Sequence, residues 1–170
     1  IKINSMTNLD KMYIDFEANE FRTTYRDAIT MIPDLRGITQ PRLDKLEFLR
    51  FRGNFTGFIK DFVTFGTIET KLGVIVTDVN MKFPDNAPTI YAGGLETRSF
   101  ALGEFVDVPQ VGVINFKGSI NGRGLKATTL NAKLDGNIRS LDVNNYTYQN
   151  IVVKGTIAKR LFNGEVISND

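Results

Sequence analysis

The chain has 170 residues, of which 42% are hydrophobic and 24% are charged, a composition typical of a folded domain. It contains no Cys, His or Trp, which excludes disulfides, zinc–thiolate sites and the commonest general base. The net charge is only +2, and residues 1–62 mix ten Lys or Arg with nine Asp or Glu. Because a nucleic-acid partner needs a concentrated basic face, we expect none here.

The first part of the chain predicts one strand and one short helix. Residues 9–22 alternate apolar and polar side chains, which is a strand pattern. Residues 24–32 then show helical spacing, with Thr23 or Thr24 as the N-cap. Pro33 disfavours helical geometry in the residue before it and ends the helix. We expect this single helix to be a crossover between two strands.

From Leu46 onward the pattern is that of an all-β chain. Apolar and polar residues alternate along successive stretches, and short runs rich in Gly, Pro and Asn separate them. The expected apolar positions of the next strands are Phe65, Val74, Val76, Val79, Met81 and Phe83. We expect turns or loops at residues 71–73, 84–88 and 107–110, a bend or bulge at Gly93-Gly94, and tight turns at Asn121-Gly122 and Asn163-Gly164.

A repeated triplet of apolar residue, glycine and apolar residue, counted at every second position, organises the chain. Side chains two apart in a strand share a face, so each glycine is expected on the apolar face. Glycine normally weakens a strand, and its repetition on one face predicts a strongly curved, mostly antiparallel sheet whose strands approach closely there. The triplets are Phe51-Gly53-Phe55, Phe116-Gly118-Ile120, Leu134-Gly136-Ile138 and Val153-Gly155-Ile157.

Asp135-Gly136 has a second interpretation. The dipeptide is a good type I′ turn, which would fold residues 130–143 into a tight hairpin. The matching triplets around Gly118 and Gly155 favour a continuous strand, because Lys-Gly is a poor hairpin turn.

No constellation of side chains indicates catalysis, so we expect the chain not to be an enzyme. The carboxylates are scattered at outward strand positions such as Asp15, Glu17 and Asp78, as on a solvated sheet surface. Glu104 and Asp107 flank a loop, but without the alternating series of a calcium loop they are weak Ca²⁺ ligands. We expect no cofactor and no metal.

The apolar face itself leaves two interpretations open. The chain has 13 Phe residues, and many share a strand face with the glycines. The face packs against itself in a sandwich or small barrel, or it forms a trough that is not fully filled. In a trough, burial of acyl chains would contribute about 0.8 kcal/mol per CH₂ group. Composition does not separate the two, and physical reasoning alone favours the filled core.

Four stretches occur in a distinctive order: LRFRGNFTGFIKDFVTFGTIETKLGVIVTDVNMKF, LETRSFALGEF, INFKGSINGRGLKATTLNAKLDGNI and YTYQNIVVKGTIAKRLFNGEV. They resemble the C-terminal region of TamB-like translocation and assembly module proteins of the AsmA-like family, in their long Bacteroidetes form. There an F-x-G-x-[hydrophobic]-x-G unit opens a strand, and TLNAKLDG is followed by a YxYxNIxVxGTIAxxLFNG unit. The resemblance covers residues 43–166, and residues 1–42 fit less specifically.

The resemblance implies that residues 1–170 are one repetitive β segment of a larger envelope protein. That protein would span the periplasm from an anchor in the inner membrane of a Gram-negative bacterium. Its sheet would curl into a taco-shaped groove that conducts phospholipids, held by their acyl chains, between inner and outer membrane. The family is also given a role in outer-membrane barrel assembly, with a partner of the Omp85 type.

The family has no catalytic residues to carry over. What the resemblance implies here is a groove face, placed by alternation. The implied lipid-groove residues are Phe51, Phe55, Phe116, Ile120, Leu130, Leu134, Ile138, Val153 and Ile157, and the bend glycines are Gly53, Gly118, Gly136 and Gly155.

Two other functions compete with a lipid groove. The first is a structural module that assists barrel assembly by pairing an exposed edge strand with its partner. The second is a carbohydrate-binding or adhesin-like sandwich, which the absence of Trp disfavours. Exposed sheet edges also predict an edge-strand dimer when the segment is isolated.

Overall fold

The structure is a computed structural model that describes residues 2–4 and 11–168. These residues form one antiparallel sheet of eleven strands, which confirms the expected all-β fold. Ten strands pair in chain order, β7 pairs with β8 beside this path, and the first and last strands do not pair with each other. The strands are β1 (Lys2–Asn4), β2 (Tyr13–Thr24), β3 (Phe48–Phe58), β4 (Asp61–Thr70), β5 (Gly73–Lys82), β6 (Ile90–Arg98), β7 (Phe100–Ala101), β8 (Val111–Arg123), β9 (Asn131–Val143), β10 (Tyr146–Ala158) and β11 (Leu161–Ser168).

The predicted helix is present as α1 (Tyr25–Met31), in the connection between β2 and β3. The Thr24 hydroxyl caps it by accepting a hydrogen bond from the Asp27 N–H at 3.2 Å. A second helix, α2 (Leu102–Val106), lies between β7 and β8, where the alternation predicted only strand. Strand β2 confirms the predicted strand from residue 13 to residue 22, but it begins later than predicted, because residues 11 and 12 are not in strand conformation. Residues 9 and 10 of the predicted strand lie outside the described part of the chain.

Two glycine dipeptides lie inside strands. Strand β9 runs unbroken through Asp135-Gly136, which confirms the continuous-strand interpretation over the hairpin. Strand β6 runs through Gly93-Gly94, and its pairing with β5 and β8 shows no register shift. The predicted bulge at Gly93-Gly94 is therefore wrong, because Gly93 takes up a φ of +147° without leaving the register.

The two predicted Asn-Gly turns are wrong as well. Asn121-Gly122 lies within β8, and Asn163-Gly164 lies within β11. The register places Gly164 opposite Gly155, which keeps the apolar residues of β10 and β11 on one face. A turn at Asn163-Gly164 would break that match, so the chain reverses at Lys159-Arg160 instead, where both residues have positive φ.

Three expected apolar positions lie on the opposite, polar face. The register pairs Phe65 with Asn54 and Asp78, and the Phe65 side chain is 61% exposed. Val74 and Val76 belong to the same face, since they are paired with Glu69 and Thr67. Successive side chains of a strand alternate between its two faces, and Phe62 and Phe65 are an odd number of residues apart. They therefore lie on opposite faces, and Phe62 is the one on the apolar face.

The connection between β2 and β3 reaches across the sheet. Because each strand runs antiparallel to the one before it, successive connections alternate between the two ends of the strands. The β2–β3 connection lies at one end, and the β8–β9 and β10–β11 connections lie at the other. Nevertheless the Ala127 N–H donates to the Gln40 carbonyl at 3.1 Å, and the Arg160 guanidinium donates to the Gln40 side chain. In a flat sheet strands of ten residues would hold the two ends about 30 Å apart. The sheet is therefore strongly curled, as predicted, and residues 32–46, which we call the crossing segment, bridge it.

Candidate functional site

The strand register aligns inward side chains into rows that cross the whole sheet. Residues directly opposite each other in antiparallel strands share a face, so a row can be followed from pair to pair. We call the face that carries these rows the apolar face. Its central row runs from β2 to β11 through Ala18, Gly53, Gly66, Thr77, Leu95, Gly118, Gly136, Val153 and Val166.

Glycines lie opposite each other on the apolar face at positions that have no room for a Cβ atom. A Cβ atom at Gly118 would lie 2.3 Å from the Asp135 carbonyl oxygen and 2.6 Å from a ring atom of Phe116. A Cβ at Gly136 would likewise lie 2.7 Å from the Phe116 ring. The ring thus covers a glycine pair that leaves no room for a side chain, which confirms the predicted close approach. The opposed pairs are Gly53–Gly66, Gly118–Gly136 and Gly155–Gly164.

Aromatic rings fill the apolar face of strands β2 to β5. Phe16 and Phe55 stack with their ring centroids 5.9 Å apart, and Phe55 lies 4.6 Å from Phe62. Phe62 in turn stacks on Phe83 at 6.3 Å. Ring pairs in this distance range attract each other beyond the area they bury. This part of the face is therefore occupied by its own side chains.

The apolar face becomes more open toward β11. Phe51, Phe62 and Phe116 are buried, with 6–9% of their surface exposed. On β11, by contrast, Phe162 and Val166 are 40% and 59% exposed. Between these extremes four aliphatic residues are half-buried, which leaves part of each side chain accessible to a ligand: Ile120, Leu134, Ile138 and Ile157. Ala132, Ile151 and Val153 of the same face are buried.

Charged side chains on the opposite face pair with one another. Arg52 contacts Glu20 at 3.1 Å and Glu69 at 2.9 Å, and Arg50 contacts Glu69 at 2.9 Å. Hydrogen bonds from Arg52, and secondly from Arg22, hold the pKa of Glu20 below its usual value. Since ion pairs this exposed contribute little stability, we regard this face as a solvated surface.

The crossing segment bridges the two ends of the curled sheet and has few buried side chains. Ile38 is only 5% exposed, whereas Asp34 and Arg36 are exposed. The Arg42 N–H donates to the Phe105 carbonyl at 2.7 Å and so ties the segment to α2. A cavity of about 590 Å³ lies beside the segment, and both polar and apolar groups line it: Tyr25, Gly37, Ile38, Thr39, Gln40, Arg42, Asp44 and Asp107. The segment is therefore loosely packed.

Eight of the nine implied groove residues share the apolar face. They are Phe51, Phe55, Phe116, Ile120, Leu134, Ile138, Val153 and Ile157, and the four bend glycines lie among them. Leu130 is the exception, because the chain reverses between β8 and β9 and the alternation does not extend past the strand end. Leu130 lies in that connection, where its carbonyl accepts a hydrogen bond from the Lys159 N–H at 3.1 Å.

The sequence reasoning missed two further triplets of the same spacing, Tyr91-Gly93-Leu95 and Phe162-Gly164-Val166. Both lie on the apolar face, and the second was hidden by the assignment of Asn163-Gly164 as a turn. Tyr91 is 6% exposed, and its hydroxyl donates to the Gly124 carbonyl at 3.1 Å. Burial raises the pKa of Tyr91 to about 12. A consistent search for the triplet would have found both.

Strand β11 is an exposed edge of the described sheet. All eight of its residues are exposed, and Leu161, Val166 and Ile167 are 73%, 59% and 53% exposed. It pairs with β10 on one side, and no other described strand pairs with it. Such an edge presents unpaired backbone groups to any strand that fits them.

No family model, no curated protein and no solved structure matches this chain. Within residues 2–4 and 11–168, no helix has the length and apolar character needed to span a bilayer. The same residues contain no group of three or more acidic side chains placed to hold a metal ion. Asp107, which the sequence analysis weighed as a Ca²⁺ ligand, has its carboxylate 4.0 Å from the Arg42 guanidinium. The geometry thus defines a class of structure: an open, curled antiparallel sheet with one apolar and one charged face.

Proposed function

We propose that this chain is a segment of a periplasmic hydrophobic groove that conducts phospholipids passively between inner and outer membrane. One observation carries the proposal: apolar rows cross the sheet from β2 to β11, and part of this face stays accessible from β8 onward. Ile120, Leu134, Ile138 and Ile157 are half-buried there, beside the buried Phe116, Ala132, Ile151 and Val153. The resemblance of residues 43–166 to TamB-like proteins supports it independently, and it implies a parent protein anchored in the inner membrane.

The chemistry of the two faces suits a phospholipid. Half-buried aliphatic residues offer an acyl chain apolar contact, and each CH₂ group removed from water contributes about 0.8 kcal/mol. The charged phosphate group stays in water at the open side, because transfer of an ion to an apolar surface is strongly unfavourable. No bond is made or broken, so the role needs no catalytic group.

Adjacent residues of β8 provide a matched test. Ile120 is half-buried on the apolar face, whereas its neighbour Asn121 is exposed on the polar face, opposite Lys133. A glutamate at either position adds the same charge to the same strand. We expect Ile120→Glu to abolish cross-linking to a phospholipid with a photoreactive acyl chain, and Asn121→Glu to retain it.

Equal cross-linking of the two folded variants would contradict the groove. Circular dichroism and thermal unfolding of both variants separate loss of lipid from loss of fold. Cross-linked residues identified by mass spectrometry should also lie on β8, β9 and β10 of the apolar face rather than on the polar face.

The exposed edge favours a second candidate, a module that assists outer-membrane barrel assembly by strand addition at β11. Strands β10 and β11 form a two-residue hairpin, in which Ala158 and Leu161 flank the turn and exchange hydrogen bonds. Every second residue of β11 counted from Leu161 therefore bonds to β10. The N–H groups of the residues between them, including Val166, face the free edge. Proline is tolerated at such a position but blocks an added strand. Val166→Pro should abolish binding to an Omp85-type partner, and Val166→Thr should retain it.

A further inference from the structure

We propose that the crossing segment, residues 32–46, is an internal occupant of the groove and that a phospholipid acyl chain displaces it. This inference rests on the proposed function, because it concerns the same apolar face. It adds a conformational step: the groove is covered in the empty chain and opens when lipid enters.

The contacts of the segment place it between the two ends of the curled sheet, at the mouth of the groove. The tip of the segment, around Gln40, contacts the connections at the opposite end of the strands. Gln40 accepts hydrogen bonds there from Ala127 and Arg160. The polar face stays exposed along the strands, at Arg52 and Lys154 for example, so the segment does not cross on that side. Ile38, at 5% exposure, is the side chain that the crossing buries most.

The two ends of the connection are held differently from its tip. At the base, the Tyr25 N–H donates to the Glu47 carbonyl at 3.1 Å, and the Lys71 N–H donates to the Leu46 carbonyl at 3.2 Å. These bonds anchor the connection to the neighbouring strands β3 and β4. The tip is held by hydrogen bonds to α2 and to two other connections, and it borders the cavity of about 590 Å³. The tip can therefore leave while the base stays attached.

Gly37 supplies a pivot between α1 and the tip. It is exposed and has a φ of +72°, and a Cβ placed on it would meet no atom within 4 Å. Nothing packs against this residue, so its backbone can rotate without a clash. An entering acyl chain would replace the apolar contacts of Ile38 with its own.

Hydrogen exchange of the unmodified chain tests the displacement. Two amides report on the tip, Arg42 N–H, which donates to Phe105, and Ala127 N–H, which donates to Gln40. On addition of phosphatidylglycerol vesicles we expect both to exchange at least about tenfold faster, as for a broken contact of modest energy. Amides in the β4–β5 ladder should keep their rates and serve as the internal control.

Two variants test the same idea from the other side. Ile38→Ser removes the buried anchor and should raise lipid occupancy about tenfold. Arg160→Ala removes an exposed hydrogen-bond donor to Gln40 and should raise it about threefold, the scale of one hydrogen bond. Lys159→Ala changes the neighbouring residue of the same turn and should leave occupancy unchanged.

The outcomes separate this inference from the proposed function. Lipid binding with unchanged exchange at Arg42 and Ala127 would overturn the displacement and leave the groove standing. Lipid on Arg160→Ala but none on the unmodified chain would overturn displacement by lipid, because the segment would then keep lipid out. No lipid on any variant would overturn both.

Discussion

The two halves of the sheet share one register but differ in what lies on the apolar face. In β2 to β5, Phe16, Phe55, Phe62 and Phe83 form a chain of ring contacts that fills the face. In β8 to β11, mainly glycines and aliphatic residues occupy the same rows, and many of their side chains are half-buried or exposed, although Phe116, Ala132, Ile151 and Val153 are buried. We call these the aromatic half and the glycine half. The difference teaches that one repeated pattern can build both a packed core and an open surface.

The largest expected effect compares core truncations in the two halves. Phe62→Ala removes a ring that is 8% exposed, so it should destabilise the chain by about 3–5 kcal/mol. Leu134→Ala removes a half-buried side chain and should cost less than about 2 kcal/mol, because little of a cavity forms there. Urea unfolding of both variants measures the two costs. Equal costs would mean that the glycine half is packed as tightly as the aromatic half.

A pair of glycine substitutions sharpens the comparison further. Gly118→Ala places a Cβ atom 2.3 Å from a backbone oxygen, so it should destabilise the chain by about 1–3 kcal/mol or more. Gly94 lies on the polar face, and a Cβ atom there would meet no atom closer than 3.8 Å. Gly94→Ala should therefore be neutral or slightly stabilising in the same urea titration. A tolerated Gly118→Ala would contradict the close approach of β8 and β9.

Alkaline pH should destabilise the chain through Tyr91, which lies on β6 between the two halves. Its pKa is raised to about 12 in the folded chain, from 10.0, by burial. Between these two values the unfolded chain ionises while the folded chain stays neutral, so stability falls as the pH rises from 10 to 12. Tyr91→Phe should flatten this part of the stability profile. If the two profiles ran parallel above pH 10, burial of this hydroxyl would be disproved.

The smallest expected effect concerns the charged face of the aromatic half. Hydrogen bonds from Arg52 and Arg22 lower the pKa of Glu20 from 4.5 in the folded chain. The stabilisation is present above pH 4.5 and is lost as the pH falls through the lower folded value. Thermal unfolding of Glu20→Gln between pH 3 and pH 7 should show a shallower acid dependence than the parent chain. Glu165→Gln on the exposed β11 is the matched control for the removal of one carboxylate.

Displacement of the crossing segment would cost the free energy gained by burying Ile38, and lipid would have to match it. Full burial of one Ile side chain contributes about 1.5–3 kcal/mol, and burial of each acyl CH₂ group contributes about 0.8 kcal/mol. About four CH₂ groups therefore match the apolar contribution of Ile38. Because phospholipid acyl chains are several times longer, the apolar contribution favours the displacement that we propose.

Much of the fold follows from local pattern. The period of two predicted the strands, the Thr24 cap and Pro33 predicted the bounds of α1, and the glycine triplets predicted where β8 and β9 approach closely. These features depend on residues near in sequence or on a face that repeats. They need no knowledge of which distant elements meet.

The remainder depends on contacts between distant parts of the chain. Asn163-Gly164 is a good turn by itself, but pairing of Gly164 with Gly155 outweighs it. Phe65 looks like a core residue until Phe62 is known to occupy the inner position. The crossing segment carries no periodic signal, and its place is set by Gln40 reaching Ala127.

Native mass spectrometry of the purified chain, its Ile120→Glu variant and its Asn121→Glu variant tests the central claim most directly. We predict that phospholipid co-purifies with the unmodified chain and with Asn121→Glu, and that Ile120→Glu is folded and lipid-free. A lipid-free and stable unmodified chain would contradict an open groove. Its apolar face would then be closed by its own side chains and by the crossing segment.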